Sequence, residues 1–194
     1  MEFGWLIILT LFIIIFLLYI TKHNKDVIYV KSEADESVYL VRNVDDKDKA
    51  ANILAMIKKN ITTITDHLYR NIKNYKSYQS YILQLHERIK NAVIMESSED
   101  SVYTSYSVNK GEQIVFCLRS RNIPNQLHKL NLLMYVVLHE MSHVACPEYG
   151  HTLLFKKIFA FITTVAIEMK LYERIDFFKN NTEYCGLMIT DSII

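Results

Sequence analysis

Two histidines four residues apart, with a glutamate directly after the first, are the residues of this chain best suited to chemistry. They form His139-Glu140-Met141-Ser142-His143, and Gly150-His151 follows. Imidazole nitrogens suit Zn²⁺, and a catalytic zinc takes three protein ligands while a fourth position stays open. On a helix, residues i and i+4 share a face, so His139 and His143 can approach one metal together. Glu140 then lies beside the open position, where a proton acceptor is needed, rather than on the metal. The pattern predicts Zn²⁺ as cofactor, His139 and His143 as ligands and Glu140 as general base. His151 is the expected third ligand, because Gly150 lets the backbone turn back toward the helix. Glu168 and Glu173, further along the chain, compete for that place. Cys146 and Glu148 are near in sequence, but at the helix end they point elsewhere.

These side chains need an element to hold them. The chain has two prolines, Pro124 and Pro147, and they bracket the motif. A helix is therefore expected over about 126–145. Leu130, Leu133, Met134, Val137, Met141 and Val144 form its apolar stripe. Leu132, Tyr135 and Val136 add apolar surface on the histidine side, so the helix reads as buried. Buried histidines and a carboxylate need partners. A metal satisfies all of them, whereas mutual hydrogen bonding leaves the i, i+1, i+4 pattern unexplained.

The neighbours of this helix are also legible. Leu54, Ile57, Ile61, Ile64, Leu68 and Ile72 predict an amphipathic helix over about 47–72, and Ile82, Leu85, Ile89 and Ala92 a second over about 78–94. His67 and His86 on these helices read as solvated. Residues 102–108 and 112–119, joined by Asn-Lys-Gly, predict a β-hairpin with positive φ at Gly111. A strand beside the metal helix can hold a substrate backbone in extended form. A structural role for the hairpin carries equal weight. Leu154, Ile158, Ile162, Val165, Met169 and Tyr172 form a further helical stripe. Tyr184 is a candidate donor to a developing oxyanion, although most such tyrosines only pack.

At this point the chain resembles a known group. His139-Glu140-x-x-His143 … Gly150-His151-x-x-x-Phe155 is similar to the active-site segment of SprT-like and WLM zinc metallopeptidases, and to metallopeptidase-like proteins of large DNA viruses. The resemblance implies three histidine ligands, Glu140 as base and a compact zincin-type fold. Seven residues separate His143 from His151 here, against five in the metzincin and WLM enzymes and more in the SprT-like ones.

Composition sets the remaining bounds. The chain has 194 residues, is 51% hydrophobic and carries a formal charge of +1. Near-neutral charge argues against nucleic acid as a partner, and Lys58, Lys59, Arg70, Lys73 and Lys76 read as a solvated face. Three cysteines at irregular spacing, Cys117, Cys146 and Cys185, do not suggest a disulfide framework, so reduced thiols are expected. Residues 3–20 form an uncharged run of spanning length without signal-peptide features. Trp5 and Tyr19 fit interfacial anchoring, and Lys22 and Lys25 against Glu2 place the domain on the cytosolic side.

The fold expected is α+β. An N-terminal transmembrane helix (1–21) and a connector (22–45) precede a mainly helical zincin-type domain (46–194) with a small antiparallel sheet beside the active-site helix. The function expected is that of a membrane-anchored, single-pass zinc metallopeptidase acting on peptide or protein substrates, with the lipid bilayer as its second partner. The rival is a non-catalytic zinc-stabilised scaffold or virus assembly protein, with Cys146 or Cys185 as a fourth ligand.

Overall fold

The computed structural model describes the backbone of residues 2–23 and 26–194, and side chains over 4–18 and from 26 onward. Helix α1 (Glu2–His23) presents exposed side chains throughout 4–18. Among the described residues no helix is long and apolar enough to cross a membrane. This corrects the expected transmembrane anchor, and the single-pass, cytosolic-side placement goes with it. The side chains of Glu2, Lys22 and Lys25, on which the orientation rested, and that of Tyr19, read as an interfacial anchor, lie outside the described residues.

The rest is α+β. The stretch read as a connector forms an antiparallel hairpin, β1 (Val27–Lys31) with β2 (Val38–Arg42), whose Val30, Tyr39 and Val41 are buried in the core. It packs on α2 (Lys47–Arg70), whose Leu54, Ile57, Ile61, Ile64 and Leu68 all face inward. α3 (Gln79–Ile89) is shorter than its apolar spacing suggests. Ile94 leaves the helical pattern because β3 (Val93–Glu96) joins a sheet, a long-range pairing that helical periodicity cannot register.

That sheet has the order β3-β5-β4. β4 (Ser105–Val108) and β5 (Gln113–Phe116) make the expected antiparallel hairpin, while β3 runs parallel to β5, so the sheet is mixed and not purely antiparallel. Asn109, Lys110 and Gly111 at its turn have φ of 48°, 57° and 116°. The glycine suits the most extreme of these.

α4 (Leu130–Ala145) carries the histidine motif and packs against α2, α3, α5 (Leu153–Glu168) and β4. Its C-terminal end follows from Pro147, which forces the preceding Cys146 into an extended conformation, φ −80° and ψ 129°. It starts four residues later than expected because Gln126–His128 pair with 118–120. Leu127 bridges Arg119, and the His128 N–H donates to the Leu118 carbonyl at 2.8 Å.

A short hairpin, β6 (Thr182–Tyr184) with β7 (Leu187–Ile189), closes the chain. Cys185 in its turn is disulfide-bonded to Cys117, with a Cα–Cα distance of 6.3 Å. This runs against the expectation of reduced thiols. A separation of 68 residues leaves no local spacing signal, and only Cys146 stays free.

Candidate metal centre

The helical repeat places His139 and His143 one turn apart on α4, and the turn through Gly150 (φ 75°) swings His151 up to meet them. The three Nε2 atoms form a nearly equilateral triangle. Its sides are 3.1 Å (His139–His143), 3.2 Å (His143–His151) and 3.1 Å (His139–His151). Three imidazole nitrogens cannot satisfy one another in such a ring. A nitrogen of a neutral ring carries either an N–H or a lone pair, so of three Nε2 converging on one point at least two carry the same, and one pair sets lone pair on lone pair or N–H on N–H. A cation at the centre removes the conflict. Tetrahedral zinc with Zn–N near 2.05 Å sets its ligand nitrogens about 3.3 Å apart, close to the observed triangle, so the donor set fits a divalent metal. Among the described residues this is the group of histidine, cysteine and carboxylate side chains placed to hold an ion.

Electrostatics favour the uncharged form of two of the three rings. Burial, then the neighbouring His143 and His151, pull the His139 imidazole down to about 3; burial, then His151 and Lys110, pull His143 down to about 4. Both rings are neutral near pH 7, the form that binds metals. The rings are oriented by packing. Phe155, buried on the first turn of α5, stacks on His143 (4.2 Å between centroids) and lies 5.0 Å from both His139 and His151. Thr152 caps α5 by accepting from the Phe155 N–H at 3.2 Å, which fixes the start of that helix directly after His151.

Glu140 is 4% exposed and lines the same cleft as the three histidines. No hydrogen-bond donor reaches its carboxylate among the described residues, and burial pushes its carboxyl up to about 8. An unpaired carboxyl in a cleft is costly to keep, and its position beside the triangle is where a proton acceptor would work. The cleft, of ≈ 380 Å³, is bounded on its far side by Ser105, Tyr106 and Ser107 of β4 and by Lys110 and Tyr149. β4 is an edge strand, so one side of its backbone is free to pair.

The other candidates lie elsewhere. Glu173 joins the opposite end of α4, where its backbone exchanges two 2.8 Å hydrogen bonds with the Asn131 side chain. Glu168 ends α5, a whole helix away from His151. Cys185 is consumed by the disulfide, and Cys146 is buried outside the triangle. Tyr184 is buried, with its hydroxyl donating to the Cys117 carbonyl at 2.9 Å and 2.5 Å from the Ser105 Oγ. It supports β4 from behind and does not line the cleft. His86 is stacked on Tyr69 at 3.8 Å, not solvated.

Sequence reasoning missed Lys110. It sits in the Asn-Lys-Gly turn, read only for its glycine, and donates to the Cys146 carbonyl at 2.9 Å and the Glu148 carbonyl at 2.6 Å.

Comparison with known proteins gives viral relatives. An uncharacterised protein of Acanthamoeba polyphaga mimivirus is 43% identical over 189 residues, which is 97% of this chain and 95% of that protein. Uncharacterised proteins of Invertebrate iridescent virus 6 (35% over 82 residues, 42% of this chain and 44% of the relative) and Invertebrate iridescent virus 3 (39% over 98 residues, 50% and 55%) also match. No protein-family profile and no solved structure matches.

Proposed function

We propose that this chain, which belongs to one family with the uncharacterised mimivirus protein, is a zinc-dependent peptidase that hydrolyses peptide bonds in the cleft between α4 and β4. The reading is carried by one observation, the convergence of three imidazole nitrogens beside an unpaired, buried carboxyl in an open cleft. His139, His143 and His151 would hold the zinc. When bound, that ion supplies Lewis acidity, polarising a carbonyl and making a water molecule more acidic.

The chain's own groups do the rest. Glu140 takes a proton from the attacking water and returns it to the leaving amine. The free edge of β4 pairs with the backbone of an extended substrate, in the manner of strand addition, and holds the scissile bond against the triangle. Phe155 keeps the three rings in place from below, on the side away from the cleft lining.

The test uses the full chain and E140Q, with zinc content and cleavage of a broad peptide panel measured in parallel. Zinc retained in both, with cleavage by the wild type and a loss of about 10²–10⁴-fold in the variant, is the expected result. Zinc binding with equal inactivity of both proteins overturns the reading in favour of a structural zinc site.

A further inference from the structure

We infer that Lys110 is a positioning residue for the third metal ligand, an inference that rests on the metal reading above. His151 has no helix to hold it. It follows a loop, Cys146–Gly150, that is largely exposed beyond Cys146, with Tyr149 84% exposed. Such a segment has little packing of its own to fix a ligand to the few tenths of an ångström that coordination needs.

Lys110 supplies the missing constraint. Its ammonium donates to two carbonyls of this loop, Cys146 at 2.9 Å and Glu148 at 2.6 Å, and lies 4.2 Å above the Tyr149 ring. Three successive parts of the approach to His151 are thus tied to one charged group. The anchor is itself rigid. Lys110 sits in the β4–β5 turn, and the adjoining Gly111 packs so closely on α4 that a Cβ there would meet Val144 Cγ1 at 3.0 Å. Behind the loop, the last carbonyls of α4 are also taken. Gln84 Nε2 donates to Val144 at 3.1 Å and to Ala145 at 2.9 Å, and Arg88 Nη1 donates to Val144 at 2.9 Å. These carbonyls have no partner within the helix. Gln84 and Arg88 of α3 satisfy them, and Lys110 of the turn takes the next carbonyl, that of Cys146, so the end of the metal helix is gripped from two sides. Lys110 is the one of these groups that reaches past the helix into the loop bearing His151.

Outer groups that orient metal ligands are worth about 10–100-fold in metal affinity. The experiment is a competition titration of the full chain with Zn²⁺ against a chromophoric chelator, for the wild type, K110M, K110R and H151A, and for K110M and K110R in the H151A background. The expected result is a loss of about 10–100-fold in zinc affinity for K110M, part of it restored by K110R, whose guanidinium can also donate to two carbonyls. In the H151A background the K110M change should have no further effect, because the ligand that Lys110 positions is gone. Melting of each chelated chain checks folding, and if K110M does not fold, K110R in the two backgrounds reads the same dependence. Equal affinity of wild type and K110M overturns the inference and leaves the metal reading intact. So does an equal loss with and without His151, which would mark general loosening. A wild-type chain that binds no zinc overturns both.

Discussion

Two clusters of polar side chains in this domain are built on opposite terms. The Arg119 cluster pairs its charges internally. The Arg119 side chain is 1% exposed, its Nε donates to Glu96 Oε1 at 2.8 Å, and its Nη1 donates to Asp46 and to the Asn125 carbonyl. Glu96 in turn accepts from the Arg42 N–H at 2.7 Å. One cation and two carboxylates from α2's leading edge, β3 and the end of β5 meet, and the cation is paired within the chain. The histidine triangle has no such partner of opposite charge. Three ring nitrogens converge, and among the described residues the Glu140 carboxyl beside them has no donor. Both clusters cost desolvation; only one repays it from inside the protein. On the proposed reading, the triangle is the cluster that a metal ion would complete from outside.

The comparison breaks if the triangle turns out to be a structural device. H139A or H143A is therefore the largest test. Metal affinity should fall by more than about 10³-fold, since a site of three ligands becomes one of two. Thermal unfolding of the chelated chain should change little or shift upward, because a half-buried imidazole crowded by two others leaves. A loss of several kcal/mol in the chelated variant would place the triangle with the Arg119 cluster.

R119M is the converse. Removing the cation strands Glu96 and Asp46, and breaking a buried pair in this way costs about 3–5 kcal/mol. Urea unfolding should report that loss, while the zinc affinity of the folded fraction stays at the wild-type value. A drop in both would show that the two clusters are coupled. Next in size is the Cys117–Cys185 bond beside Arg119. It closes a long loop, 68 residues apart, and such bonds contribute about 2–4 kcal/mol, mainly by restricting the unfolded chain. C117S/C185S should lose this amount in the same urea assay. A reductant should reproduce it in the wild type and do nothing to the double variant.

The two clusters also differ in how far the sequence discloses them. The triangle spans 13 positions, and the helical repeat translates His139-x-x-x-His143 directly into a shared face. Phe155, four residues past His151, belongs to the same legible segment. The Arg119 cluster draws on partners 23 and 73 residues away. In the sequence Arg119 reads only as the polar end of a strand, and nothing local says that Glu96 will arrive on β3. The same holds for β3 itself, hidden in an apparently helical run, and for the disulfide. Lys110 falls between these cases. Its turn was legible from Gly111, but its reach to 146 and 148 depends on how the hairpin docks on α4, which no periodicity carries.

The smallest effect concerns His128, at the seam where the two regions meet. Its Nε2 accepts from the Cys185 N–H at 3.2 Å, and its ring lies 5.3 Å from Tyr184, the residue that supports β4 behind the cleft. Burial holds this imidazole below its usual value, opposed by Glu183. A protonated ring has no lone pair to accept with, so acid must cost the fold this contact. The sign follows from a depressed folded value. The contribution is present above about pH 6.5, the ordinary imidazole value, and is lost as pH falls through the lower folded value. H128Q keeps an acceptor and removes the titration. Wild type should therefore lose stability between pH 7.5 and 5.5 relative to H128Q, by less than about 1 kcal/mol given the partial exposure of the ring. Parallel pH profiles of the two proteins in urea unfolding would show instead that protonated His128 is accommodated by Glu183, and that the hairpin behind the cleft is held by Tyr184 and the disulfide alone.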